Sequence, residues 1–429
     1  MSIQENDKTV YVLGAGFSAG AGLPMQSQVL GSILSRLGYS FSGILASEHE
    51  KAFQKSLDKK IDKIEKFIRL SFPHLNQQLE DIFTLLDQTI ESNSHFKGLD
   101  SADLQDLRKT WIEVLVGYFH ALSVGYLQSD NSVCQRFVAA LLKQKVEHGQ
   151  EMDPCCVVSL NWDSIIEDSF FDLLRVVKGC KKADIDYCVY TTPFDESSIH
   201  TPSTKQKAAG IFNLKVLKIH GSTTWLRCPN SNHIYTGLGS PKNPYEIYVC
   251  PRKSPFIEKY PDSDKNSGAP FLEPFVITPT YAKVFDQPHI QTTWHNAYVE
   301  LREASKVVFI GYSLPEADYH FRTLLRRAVR DSTTIEVILY EEDEPKFSEK
   351  EEPDLVPEGT KPYDLEEFGT ICRYRNLFGS ERLRENIRYD GMKAFIDKLL
   401  PEEDYQATLK FLKAKLSKHK TFEDLRASG

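Results

Sequence analysis

Short apolar runs that end in small or polar residues recur along this chain. Between them, apolar positions fall at helical spacing. Val10–Leu13, Cys155–Leu160, Lys215–Ile219, Lys306–Ile310 and Glu336–Leu339 each read as a buried strand. The first runs into Gly14-Ala15-Gly16, the second into Asn161-Trp162-Asp163, the third into His220-Gly221-Ser222 and the fourth into Gly311-Tyr312-Ser313-Leu314. Strands that alternate with helical stretches predict an α/β fold. The specific expectation is a Rossmann-like, doubly wound, mainly parallel sheet with a helical insert domain. A ligand then sits at the carboxyl ends of the strands, near Leu13, Leu160, Ile219 and Ile310.

The helical pattern starts early. Small residues from Phe17 on let a helix begin close to the first strand, and Met25–Leu37 continues with Val29, Ile33, Leu34 and Leu37 on one face. Residues 40–149 then change character, with few β-branched runs. Ile61, Ile64, Phe67 and Ile68 share a face, as do Leu79, Ile82, Phe83 and Leu86, and later Leu115, Phe119 and Leu122. This predicts an insert of about three to five amphipathic helices between the first and second core strands. Glu80, Asp81 and His120 read as parts of solvated helix faces. The core is expected from 1–39 and 150–342, and the insert from 40–149. An acidic linker, Glu341–Lys361, opens the remaining 343–429 segment, with helices expected over Leu383–Leu400 and Tyr405–Leu425.

Composition narrows the classes. The chain has 429 residues, 41% hydrophobic and 26% charged, which is ordinary for a soluble globular protein. A net charge of -8 argues against direct nucleic-acid binding by bulk electrostatics. No apolar run approaches the ~20 residues that span a bilayer. The polar opening MSIQENDKTV lacks a signal-peptide core, so a cytoplasmic location is expected. Eight cysteines at irregular spacing read as reduced core residues.

The strand ends carry the chemistry. A strand, a glycine turn and a helix N-terminus bring backbone N–H groups and partial positive charge to an anion. Gly14 and Gly16 satisfy the first part of the dinucleotide fingerprint, and Ala19 stands at its third glycine, where alanine is permitted. The same turn also serves any tight strand–helix connection. Asn161, at the carboxyl end of a core strand, sits where open α/β sheets bind ligands, and it also fits as a cap for a helix over Asp163–Leu174. His220, at the next strand end and followed by glycine, is placed for proton transfer near neutral pH.

In order, Gly14-Ala15-Gly16-Phe17-Ser18, Asn161-Trp162-Asp163, His220-Gly221 and Gly311-Tyr312-Ser313-Leu314 resemble the motifs of the sirtuin (SIR2-like) family. Glu336–Leu339 leading to Tyr340-Glu341 resembles that family's last core strand. The resemblance covers residues 9–37 and 153–342. It implies NAD as substrate. It implies that backbone amides at Gly14, Ala15, Gly16, Phe17 and Ser18, and the Gly311-Tyr312-Ser313 turn, hold the phosphates. Asn161 would orient the ribose and the attacking water, Asp163 would hold the nicotinamide carboxamide, and His220 would act as base. Glu341 would meet the adenosine ribose, and it also reads as the first acid of a solvated charge run.

The departures from the family are equally informative. Cys228 and Cys250 stand alone with His233 between them, so the paired CxxC zinc motif is missing and no metal is predicted. Leu23-Pro24 is followed by Met25-Gln26, and Phe275–Tyr281 replaces the stretch that clamps acetyl-lysine peptides. This pattern is similar to bacterial SIR2-like proteins of anti-phage defence, including the SIR2 subunit of SIR2–HerA assemblies. The resemblance implies an NAD glycohydrolase working as a homo-oligomer with a protein partner such as a HerA-like ATPase. A module that senses NAD or ADP-ribose without turnover is the alternative. A protein deacylase is disfavoured by the missing zinc motif and clamp. The insert and the C-terminal segment offer surface for assembly, or only cover apolar faces of the core.

Overall fold

A computed structural model describes residues 8–35, 48–72, 78–127, 132–148, 153–177, 183–189, 191–193, 212–236, 272–281, 287–339, 362–383 and 386–418. Its strands are β1 (Thr9–Leu13), β2 (Cys155–Ser159), β3 (Ala183–Asp186), β4 (Thr191–Pro193), β5 (Phe212–Lys218), β6 (Gly221–Arg227), β7 (Ile234–Thr236), β8 (Glu273–Val276), β9 (Lys306–Ile310), β10 (Thr334–Ile338) and β11 (Ile387–Arg388). Seven of them form one sheet in the order β11-β10-β9-β1-β2-β5-β3, and every neighbouring pair is parallel. The chain lays β2, β3 and β5 on one side of β1 and returns to lay β9, β10 and β11 on the other. The fold is therefore the Rossmann-like α/β class expected, with its switch point beside β1.

Register fixes the crevice. Leu13 lies opposite Ser159 on one side and Ile310 on the other, and Ser159 lies opposite Lys218. The turns after β1, β2, β5 and β9 therefore emerge along one edge of the sheet.

Alternation along β1 separates two apolar layers. Tyr11 and Leu13 join the cluster on one face, and Val10 and Val12 join the cluster on the other. The first face is covered by helices Ser132–His148, Ile165–Val176, Gly391–Leu399 and Glu402–Lys418. Its cluster is continuous with Ile61, Ile82 and Trp111 of the helical insert, all fully buried. The second face is covered by helices Pro288–Glu303, Tyr319–Ala328 and Pro362–Phe378. Full burial of an Ile or Phe side chain stabilises by about 1.5–3 kcal/mol, so the insert is bound to the sheet by the same force that holds the core.

Several elements differ from expectation. A second sheet, in the order β4-β7-β6-β8, follows β5 and was not signalled by the apolar pattern. The continuous helix expected over Leu383–Leu400 is broken into a short helix Ser380–Leu383, strand β11 and helix Gly391–Leu399. The edge of β10 captures the intervening segment: Val337 donates to the Asn386 carbonyl and Leu339 to the Arg388 carbonyl, each at 2.8 Å. Gly391 then turns the chain with φ of 72°. Glu80 is buried, not solvated, and accepts a bond from Gln26 Nε2. Asp81 is exposed and accepts from the Gln78 N–H at 3.2 Å, as a helix-start acid does. Glu341, the acidic linker and the His120 side chain lie outside what is described. Among the described residues no helix is long and apolar enough to cross a membrane.

Candidate functional site

The two glycine turns lock against each other at the mouth of the sheet. Gly16 N–H donates to the Gly311 carbonyl at 2.8 Å. A Cβ on Gly14 would lie 2.5 Å from the Gly311 oxygen, and a Cβ on Gly311 would lie 2.4 Å from Gly16 C and Phe17 N. Gly311 also has φ of 60°, a conformation that disfavours any side chain. Only glycine lets these backbones approach so closely. The amides of Gly14, Gly16 and Phe17 donate to Ile310, Gly311 and Gly14 carbonyls respectively, so these residues shape the turn more than they offer donors to an anion.

Asn161 ties β2 to this turn. Its Nδ2 donates to the Gly14 carbonyl at 2.8 Å and to Ser18 Oγ at 2.9 Å. Ser18 Oγ in turn donates to Asp163 Oδ2 at 2.6 Å, while Asp163 Oδ1 accepts the Ile165 N–H at 3.2 Å. Asp163 and Ser18 are buried and Asn161 is half-buried. Asn161 is thus no simple helix cap: its side chain crosses to β1, and Asp163 receives the first turn of the helix instead. From below, the buried ammonium of Lys218 donates to the Asp163 carbonyl and faces Glu167 at 3.4 Å. Burial raises the Glu167 carboxyl, against the pull of Lys218.

His220 closes the other side. Its Nδ1 lies 3.2 Å from the Leu160 carbonyl, and its Nε2 lies 3.9 Å from Asp318 Oδ1. The Trp294 ring stands 6.3 Å away between centroids, anchored by its indole N–H to the Ile219 carbonyl at 2.9 Å. The peptide after His220 is fixed by the small sheet. Ile277 N–H donates to the His220 carbonyl at 2.8 Å, and a Cβ at Gly221 would lie 2.3 Å from the Phe275 oxygen.

The sequence-expected residues Gly14, Ala15, Gly16, Phe17, Ser18, Asn161, Asp163, His220, Gly311, Tyr312 and Ser313 all lie around this crevice. Two play parts that differ from expectation. The Tyr312 side chain points inward, and its phenol donates to Asp318 Oδ2 at 3.0 Å. Burial, and then the Asp318 carboxylate, hold that phenol well above its usual range. Ser313 is exposed, and its carbonyl accepts from Arg373 Nε and Nη2 at 3.1 and 3.0 Å.

No family model matches the chain, and none of the curated proteins compared with it does. Similar solved structures include a Sir2 homologue mutant–ADP ribose complex, 14% identical, with 96% of this chain and 95% of that one covered and a TM-score of 0.34. A Sir2 homologue mutant–2'-O-acetyl ADP ribose complex is 13% identical, with 96% and 95% covered and a TM-score of 0.37. A Sir2 homolog–NAD complex is 14% identical, with 95% and 91% covered and a TM-score of 0.36.

Several residues at the site carry no motif. Trp162 donates its indole N–H to the Ile277 carbonyl at 3.1 Å and meets Phe119 of the insert edge-on at 6.0 Å. Helix 101–127 therefore reaches the polar triplet itself. Tyr374 donates to the Tyr312 carbonyl at 2.8 Å, so a helix beyond the acidic linker braces the second glycine turn. Lys218 had a signal: a lysine inside an apolar strand needs a buried partner. Asp318 had a weaker one, since it reads as the cap of the helix after Pro315. Among the described residues no group of three His, Cys, Asp or Glu side chains could hold a metal ion.

Proposed function

We propose that this protein hydrolyses NAD to nicotinamide and ADP-ribose. In the same reading it works as the NAD-depleting effector of an anti-phage defence system, in a homo-oligomer with a protein partner such as a HerA-like ATPase. One observation carries the catalytic part. Asn161 joins the first glycine turn through Gly14 and Ser18 while His220 faces the same crevice from the end of β5. Cleaving the nicotinamide–ribose bond passes through an oxocarbenium-like state and releases a neutral base, so strong acid help is unnecessary. The protein must hold the pyrophosphate, orient the ribose and supply a deprotonated nucleophile. The locked turns offer a close backbone approach for the pyrophosphate. With its Nδ2 committed to Gly14 and Ser18, Asn161 offers a water its Oδ1 acceptor. His220 takes the proton.

An unrestrained NADase would kill its own host, so a gate is required. The bracing of the Tyr312–Ser313 turn by Arg373 and Tyr374 supports an input from the C-terminal segment.

Incubating the pure protein with NAD, with and without acetylated peptide, tests the reading by chromatography of the products. The expected result is nicotinamide and ADP-ribose with no need for peptide. Asn161→Ala or His220→Ala lowers turnover by about 10²–10⁴-fold with the fold left intact, as circular dichroism reads it. Peptide-dependent release of nicotinamide would make it a deacylase, and tight NAD binding without products a sensing module. A strict monomer with full constitutive turnover, seen by light scattering, would overturn the assembly.

A further inference from the structure

We propose that Asp318 is the anionic partner of His220, a positioning residue whose carboxylate stabilises the imidazolium formed when Nε2 takes a proton at the reacting centre. The proposal rests on the reading of His220 as the base in NAD hydrolysis.

The Leu160 carbonyl orients the ring through Nδ1, and the Asp318 carboxylate faces its other nitrogen. A neutral imidazole that donates Nδ1–H to the Leu160 carbonyl, 3.2 Å away, presents Nε2 as its lone pair. Nε2 faces Asp318 Oδ1 at 3.9 Å. An ionised carboxylate, an acceptor only, has no proton to give to Nε2, and that separation is beyond hydrogen-bond distance. It is short enough for a strong Coulomb interaction once the ring is charged, because His220 and Asp318 are both buried. The Trp294 indole, the Leu160 carbonyl and the Tyr312 phenol stand beside the pair, and the Arg322 guanidinium acts on that same phenol.

Asp318 is itself held in place. The Tyr312 phenol donates to its Oδ2 at 3.0 Å, and Oδ1 is the oxygen that faces His220. Gly311 and Leu314 take positive φ of 60° and 53°, and a short 3-10 helix, Glu316–Asp318, then turns the chain back toward β5. Asp318 starts the helix Tyr319–Ala328, yet its side chain makes no capping hydrogen bond there. The ordinary reason for an aspartate at that position is therefore not the one in use.

The step balances as follows. A water O–H bond breaks and its proton moves to His220 Nε2. The water oxygen bonds to ribose C1′, and the C1′–N bonding pair leaves with neutral nicotinamide. The imidazolium, stabilised beside the Asp318 carboxylate, then returns its proton to solvent.

Steady-state turnover and NAD binding by calorimetry, in a double-mutant set, test the pairing. Asp318→Asn lowers kcat about 10- to 100-fold and leaves NAD affinity within about 3-fold, while Asp318→Glu recovers part of kcat. In a His220→Asn background the same Asp318→Asn change costs less than about 2-fold, because the charge it stabilised is gone. An equal loss in both backgrounds, or full kcat in Asp318→Asn, overturns the proposal. The pair is also read without turnover. Nitrogen NMR of the His220 ring at fixed pH 6.5 shows a smaller imidazolium fraction in Asp318→Asn than in the unmodified protein, and an unchanged fraction overturns the pairing. A protein with no NAD hydrolysis, or full hydrolysis by His220→Asn, overturns the functional reading instead, and the NMR result still decides the pair.

Discussion

The crevice has two sides built to different tolerances. On the β2 side, Asn161, Ser18 and Asp163 are joined by hydrogen bonds of 2.6 to 2.9 Å, and Lys218, the last residue of β5, reaches beneath them to its buried partner Glu167. On the β5 side, His220 and Asp318 stand 3.9 Å apart, with Trp294 at 6.3 Å between ring centroids. The first arrangement fixes positions. The second sets a ring nitrogen and a carboxylate face to face beyond hydrogen-bond distance. The difference shows how one fold supplies both a closely bonded side and a looser one within the reach of three adjacent strands.

The largest expected effect breaks the rigid side. Lys218→Met leaves Glu167 buried without its cation, and about 3–5 kcal/mol of stability is lost in urea unfolding at pH 7. Adding Glu167→Leu recovers most of it, since an apolar pair needs no mutual compensation. An unshifted midpoint for Lys218→Met would show that the β2 side does not depend on this ion pair.

A somewhat smaller loss is expected at the joint between the two sides. Gly311→Ala must fit a methyl group 2.4 Å from Gly16 and Phe17 backbone at φ of 60°, and about 3 kcal/mol is lost in thermal unfolding. A loss below about 1 kcal/mol would mean that the two turns separate readily and that the comparison of fixed and open sides fails.

The smallest effect sharpens the comparison through pH. Burial pushes the Asp168 carboxyl, behind the β2 side, up to about 7 from a usual 3.8. The folded state then binds that proton more tightly than the unfolded chain, so stability falls as pH rises from about 4 to about 7. Asp168→Asn keeps a partner for Ser164 and removes the fall. Its gain over the unmodified protein is expected to be on the order of 2 kcal/mol at pH 8 and near zero at pH 4, from denaturant melts at each pH. A gain independent of pH would place its cause elsewhere.

The central strands and the turns after them were legible in the sequence because their signals are local. Val10–Leu13 is apolar and β-prone, and Gly14, Gly16 and Gly311 stand where a side chain cannot. Asn161 and His220 could be singled out because polar residues directly after buried strands fall at the sheet's carboxyl edge in any parallel α/β protein. That edge is set by strand direction alone. The strand pattern therefore determined the fold class and most of the crevice's membership.

Tertiary structure decided the rest. Nothing in Pro315-Glu316-Ala317-Asp318 announces that its aspartate faces a histidine 98 positions earlier; that pairing needs β9 and β5 placed on opposite sides of β1. Ile387-Arg388 sits within a helical pattern and becomes strand because the edge of β10 has bonds to offer it. Glu80 and Tyr374 likewise found partners only when distant segments met. Local patterns fix which backbone conformation and which face a residue takes, because those depend on neighbours in the chain. Which buried polar groups satisfy one another depends on strand order, and strand order exists only in the folded sheet.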